Sequence, residues 1–125
     1  MRRLLAGALC GFVLVAGCAT TANVHESEGK ALAVAWSGLD AIALTLDTLR
    51  NAGKLGTNAS AVAATDLGKA RDALDAATTA YQSNNDASAQ ANVATATALI
   101  AELVTIATDN GGSPSPAAVA AAKGS

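Results

Sequence analysis

The sequence predicts an all-α protein, and three observations carry that reading. Alanine is abundant along the whole chain, and it has the highest helix propensity of the twenty residues. Apolar residues recur at alternating spacings of three and four, which places them along one face of a helix. Clusters of helix-breaking residues fall at Gly53 to Asn58, at Ser83 to Asp86 and after Asn110, and the stretches between them are long.

The N-terminal segment reads differently from the rest. Arg2 and Arg3 precede an apolar stretch from Leu4 to Val15, and Val15-Ala16-Gly17-Cys18 closes it with small residues. A charged start, a short apolar core and a small-residue exit are the three regions of a secretory signal. The apolar run spans about 12 residues, whereas crossing a bilayer takes roughly 20. No basic stop-transfer cluster follows Thr21. An ordinary signal cut near Ala19 is the rival reading. Because the exit ends in cysteine, the segment resembles a bacterial lipoprotein signal peptide over residues 1–17, with Val15-Ala16-Gly17-Cys18 as its lipobox. The resemblance implies cleavage between Gly17 and Cys18. It also implies acyl chains of the palmitate kind on the Cys18 sulfur, with the new amine open to a further chain.

Removing residues 1 to 17 from 125 leaves 108, enough for one small domain. Taking Arg2 and Arg3 from the eight Lys and Arg leaves six against ten Asp and Glu, a net charge of −4. That balance offers no basic patch for nucleic acid and no polybasic surface for anionic lipid. Membrane contact must therefore come through the acyl chains on Cys18. Cys10 leaves with the signal, so no thiol remains for a disulfide. Trp36 and Tyr81 are the mature aromatics, and the core must consist of Ala, Leu, Val and Ile. Such a core stabilises modestly, since each alanine removes little apolar area from water.

Residues 18–25 read as a lipidated tether, and a three-helix domain is expected over 26–110. The first helix covers about residues 26–52, with Leu32, Ala35, Leu39, Ile42, Leu46 and Leu49 as its seam. Glu26 and Glu28 at its start and Arg50 at its end suit the helix dipole, and Gly53 follows in the C-cap position. The second covers about 60–82, capped by Asn58 or Ser60, with Ala63, Leu67, Ala70, Leu74, Ala77 and Tyr81 in line. Asp66, Lys69, Arg71 and Asp75 are expected on its solvated side. The third covers about 87–108, opened by Asn85 or Asp86. Its seam of Val93, Ala96, Ile100, Leu103 and Ala107 is widened by Leu99, Val104 and Ile106. That breadth suits a helix packed against both others.

Short breaks between long helices favour antiparallel neighbours, so the expected architecture is an antiparallel three-helix bundle. The structural alternative pairs helices two and three and extends helix one away. Residues 111–125 read as a flexible tail. Gly111, Gly112, Pro114 and Pro116 stop the third helix, and a two-turn piece from Ala117 to Lys123 is marginal alone.

Catalytic chemistry needs convergent reactive groups, and the sequence supplies no such set. His25, the sole histidine, is read as a solvated tether residue, without the partners a metal ligand requires. No His-based nucleophile system or Gly-x-Ser-x-Gly turn is present. The pairs Asp72 with Asp75 and Asp40 with Asp47 share helix faces, but those faces are polar and solvated, unlike a buried acid–base pair. Asp86 to Gln90 has no calcium-loop pattern. Gly29, Gly38 and Gly68 sit inside helices, where close helix crossing is the ordinary reason to keep them. Trp36 is read as a flank of the core, the alternative being an exposed anchor for a partner or the headgroup zone. No enzyme activity, cofactor or metal is expected.

The lipoprotein resemblance implies a lipid-anchored protein of the cell envelope. Ala19, rather than aspartate, after the lipid cysteine points to the periplasmic face of the outer membrane. The murein lipoprotein is also small and helical, but it is one unbroken heptad helix ending in lysine. Here two breaks intervene, and Gly124 and Ser125 follow Lys123. Phage outer-membrane spanin subunits are short lipoproteins too, but Pro-rich, unlike this chain with Pro114 and Pro116. The expected role is structural or one of protein interaction, through self-association or an envelope partner. The alternatives are a periplasmic binding module for a small hydrophobic ligand or the cell wall, and a phage-lysis-associated lipoprotein.

Overall fold

The computed structural model describes the backbone of residues 2–124, with side chains from Val24 to Gly124. The chain is a helical bundle of four helices: α1 (Arg2–Asn51), α2 (Thr57–Gln82), α3 (Asp86–Asp109) and α4 (Pro116–Ala122). No strand occurs among the described residues. Helix α1 packs against all three others, so it does not extend away from an α2–α3 pair.

The core follows the apolar spacings. Leu32, Ala35, Leu39, Ile42, Leu46 and Leu49 of α1 are buried, together with Leu74 and its alanine neighbours on α2. Val93, Ala96, Ile100, Leu103 and Ala107 complete it from α3. The breadth of the α3 stripe has a use within the chain. Leu99, Val104 and Ile106 are partly buried against the same cluster, and α3 packs on α2, α1 and α4. By length and composition, Val24–Asn51 and Asp86–Asp109 are also apolar enough to cross a membrane. Their seam residues form this core, as in the central helices of a bundle.

Each long helix stops in the same way. Lys54 N–H reaches the Leu49 carbonyl at 2.9 Å and Gly53 N–H the Arg50 carbonyl at 3.0 Å, the paired bonds of a Schellman motif. Asn85 and Asn84 repeat the pattern onto Ala80 and Tyr81, and Gly112 and Gly111 onto Ala107 and Thr108. The left-handed residue is Gly53, Asn84 or Gly111, with φ of 72°, 57° and 83°. Glycine accepts that conformation without strain and asparagine tolerates it.

The starts are less uniform. The Asn85 side chain accepts from Ser88 N–H at 3.2 Å, a side-chain N-cap. Helix α2 starts at Thr57, three residues earlier than its expected start at Ser60, behind Gly56, which makes no side-chain cap. Asp66 also departs from expectation. It is buried at 7% exposure, one position before Leu67, where the seam turns toward the core.

The expected flexible tail over 111–125 requires correction. Ser115 accepts from Ala118 N–H and Pro116 opens the helix, so α4 has both a cap and a pre-set first turn. Ala118 and Ala121 are fully buried. The seat is Gly38 of α1, where an added Cβ would stand 2.1 Å from Ala121 Cβ and 3.0 Å from the Ala117 carbonyl oxygen. The absence of a side chain at Gly38 lets two backbones touch, and alanine methyls fill what remains. The gain is dispersion contact from close approach rather than burial of bulky groups.

On the outer faces, threonine hydroxyls turn back onto their own helices. Thr48, Thr65, Thr79, Thr95, Thr105 and Thr108 each donate to the carbonyl four residues earlier, at 2.8 to 3.1 Å.

Candidate functional site at the His25 end of the bundle

Ionisable groups converge where α1 meets the α2–α3 turn. Helix α1 brings His25 and Glu28, one turn apart. Tyr81 comes from the last turn of α2, and Asp86 opens α3. The Schellman stop at Asn84 turns the chain sharply enough to put Tyr81 and Asp86 on the same side of α1.

His25 Nδ1 lies 2.6 Å from Asp86 Oδ1, and its ring stacks on Tyr81 with centroids 4.1 Å apart and planes 3° from parallel. His25 is therefore not a solvated tether residue. It belongs to α1 and bridges that helix to both partners. Its side chain is 34% exposed and that of Asp86 20%, which leaves the pair partly open to water. Gly29 makes the contact possible, since a Cβ there would meet the Tyr81 hydroxyl at 2.6 Å.

Glu28 is the unusual member. Its residue is 8% exposed, and its Oε2 is buried without a hydrogen-bond partner. Burial pushes its carboxyl above the ordinary 4.5, and the nearby Asp86 charge pushes the same way. An ionised carboxylate at this place loses hydration and gains no partner, so the neutral acid is favoured. The neighbouring cation does not help. Lys30 reaches Glu26 at 3.1 Å on the exposed side of α1.

The sequence carried a signal for this residue. Glu28 stands four positions before Leu32 and so continues the seam of Leu32, Ala35 and Leu39 by one more turn. Reading it only as a dipole-favoured acid missed that register.

The other expected positions fall as follows. Val15, Ala16, Gly17 and Cys18, the lipobox and the lipidation and cleavage residues, lie outside the residues whose side chains are described. Asp40, Asp47, Asp72 and Asp75 are exposed. Trp36 flanks the core, and its indole N–H donates to Thr78 Oγ1 at 3.2 Å, tying α1 to α2. Gly29 and Gly38 have close neighbours, whereas a Cβ at Gly68 would meet nothing within 4 Å. No group of three or more His, Cys, Asp or Glu side chains among the described residues is arranged to hold a metal ion.

Two of the surface grooves lie along α1. One of about 370 Å³ runs past Leu44, Thr48, Leu49, Lys54 and Gly112. The other, of about 310 Å³, lies between Val34 and Ser37 of α1 and Ala117 and Ala120 of α4. Both are open to solvent, whereas a small-molecule site is typically a cleft that covers most of its ligand.

Comparison with protein-family models, with curated proteins and with solved structures finds no match to this chain.

Proposed function

We propose that this chain is a small lipid-anchored protein of the bacterial cell envelope, with a non-enzymatic structural or protein-interaction role. The observation that carries the reading is Val15-Ala16-Gly17-Cys18 behind Arg2, Arg3 and a short apolar run. Acyl chains on Cys18 supply the anchorage, since each buried CH₂ contributes about 0.8 kcal/mol and two chains hold where one is marginal. Ala19 directs the protein to the periplasmic face of the outer membrane. Its partners are the membrane and either an envelope protein or a second copy.

The reading includes an up-down-up course for the three long helices. Two contacts support it. His25 of α1 meets Asp86 at the start of α3, and Leu49 near the end of α1 lies against Gly112 just past α3. Helix α2, joined to both by short turns, then returns between them. Along a helix at about 1.5 Å per residue, Cys18 stands about 10 Å from His25. The polar cluster thus occupies the end of the domain nearest the lipid.

The test is replacement of the cysteine. Cys18→Ser should abolish lipidation and release the domain from the membrane fraction. Mass spectrometry of mature wild-type protein from envelopes should find Cys18 at the N-terminus carrying acyl chains. An unmodified Cys18 there overturns the reading.

A further inference from the structure

We propose that His25, Glu28, Tyr81 and Asp86 form a proton-operated latch that fastens the His25–Glu28 turn of α1 to the α2–α3 turn. The latch is closed when Glu28 holds a proton and loosened when it does not.

The geometry sets out both states. His25 stays bound to Asp86 at 2.6 Å and stacked on Tyr81 while Glu28, buried one turn further along α1, is a neutral acid. With Glu28 ionised, two carboxylates face each other across the α1–α3 seam, and Glu28 Oε2 has no donor within reach. The facing groups are few. Helix α1 presents His25 and Glu28, α2 presents Tyr81 and α3 presents Asp86, while Lys30 is turned outward onto Glu26. Among the described residues no lysine or arginine is placed to compensate the second charge. Moving the His25–Glu28 turn of α1 outward lets water reach Glu28, and this relieves the penalty at the expense of the stack and the His25–Asp86 bond.

From Leu32 onward the seam is closed by leucine and isoleucine, and Gly38 locks α4 against the helix. Loosening on that side thus stops at Leu32. The sign follows from linkage. Because folding raises the Glu28 value above its ordinary 4.5, the stability tied to this proton is complete below that ordinary value. It is lost as pH rises through the raised one.

The experiment uses the full chain in detergent micelles. Carboxyl NMR of labelled glutamate should show Glu28 titrating above the ordinary 4.5, and Asp86→Asn should bring its midpoint down. Amide hydrogen exchange should then be compared between wild type and Glu28→Gln at about pH 5 and about pH 8. At the higher pH the variant should protect amides 28–33 several-fold better than wild type, with α2 and α3 unchanged, and at the lower pH the two should coincide. A Glu28 midpoint at the ordinary 4.5 overturns the latch. So does equal protection of wild type and variant at the higher pH, or a difference spread evenly over all helices. These readouts do not depend on Cys18, so they stand apart from the test of anchorage.

Discussion

Gly38 faces Ala121 so closely that a Cβ placed on the glycine would lie 2.1 Å from the alanine Cβ. Real Cβ atoms do not approach to that distance, so the pair tolerates a side chain on one partner only. This relationship sets the position of α4 and leads to the first prediction. Gly38→Ala should destabilise the protein by about 1–3 kcal/mol, the usual cost of forcing a group into a packed core. At about 4–8 °C per kcal/mol for a domain of this size, thermal denaturation followed by circular dichroism reads the loss directly.

Removing residues 115 to 125 should lower the thermal midpoint by several degrees, because Ala118 and Ala121 are fully buried. In that shortened chain the sign of Gly38→Ala should reverse, since alanine is better than glycine in a helix interior by about 1 kcal/mol. A Gly38→Ala variant that is equally harmful with and without the tail would remove α4 from the explanation.

Gly68 provides the contrast. Nothing lies within 4 Å of a Cβ built there, and the residue sits inside α2. Gly68→Ala should raise the thermal midpoint through helix propensity alone, by about 1 kcal/mol. A fall would reveal a close neighbour at this exposed position.

Leu74 and Asp75 are adjacent in sequence and opposite in environment. Leu74 is fully buried and Asp75 is exposed. Leu74→Asp should unfold the domain, because a charge in an apolar core has no partner to offset its desolvation. Asp75→Ala should be nearly silent. Trp36 is the one tryptophan and bonds to Thr78 one turn beyond Leu74. Its emission should shift to the red in the first variant and stay unchanged in the second.

The burial seams of α1 and α3 were legible in the sequence, because leucine, isoleucine and valine at alternating threes and fours have one way to be buried together. The Asn85 cap and the Gly53 stop were legible for the same local reason. Helix α4 was not. Its anchoring residues are alanines, and what fixes them is a glycine far away in the chain, so no periodicity within residues 111–125 announces the contact. The polar cluster was hidden in a related way. His25 has nothing beside it in sequence but Glu26 and Glu28, and its partners Tyr81 and Asp86 arrive only when the α2–α3 turn closes. Glu28 itself was in register with the seam, but the chemistry of its side chain masked its position.

The threonines of the outer faces have a consequence for how the protein meets its surroundings. Each back-bonded hydroxyl has spent its one proton on a carbonyl of its own helix, and what it turns outward is a γ-methyl and a spare lone pair. Alanine methyls lie between them, and exposed charged side chains such as Lys30, Asp40, Arg50, Lys69, Asp75 and Glu102 break up that methyl surface. Between those charges the outer faces offer dispersion contact and few hydrogen-bond donors, so directional contacts there fall to the charged side chains.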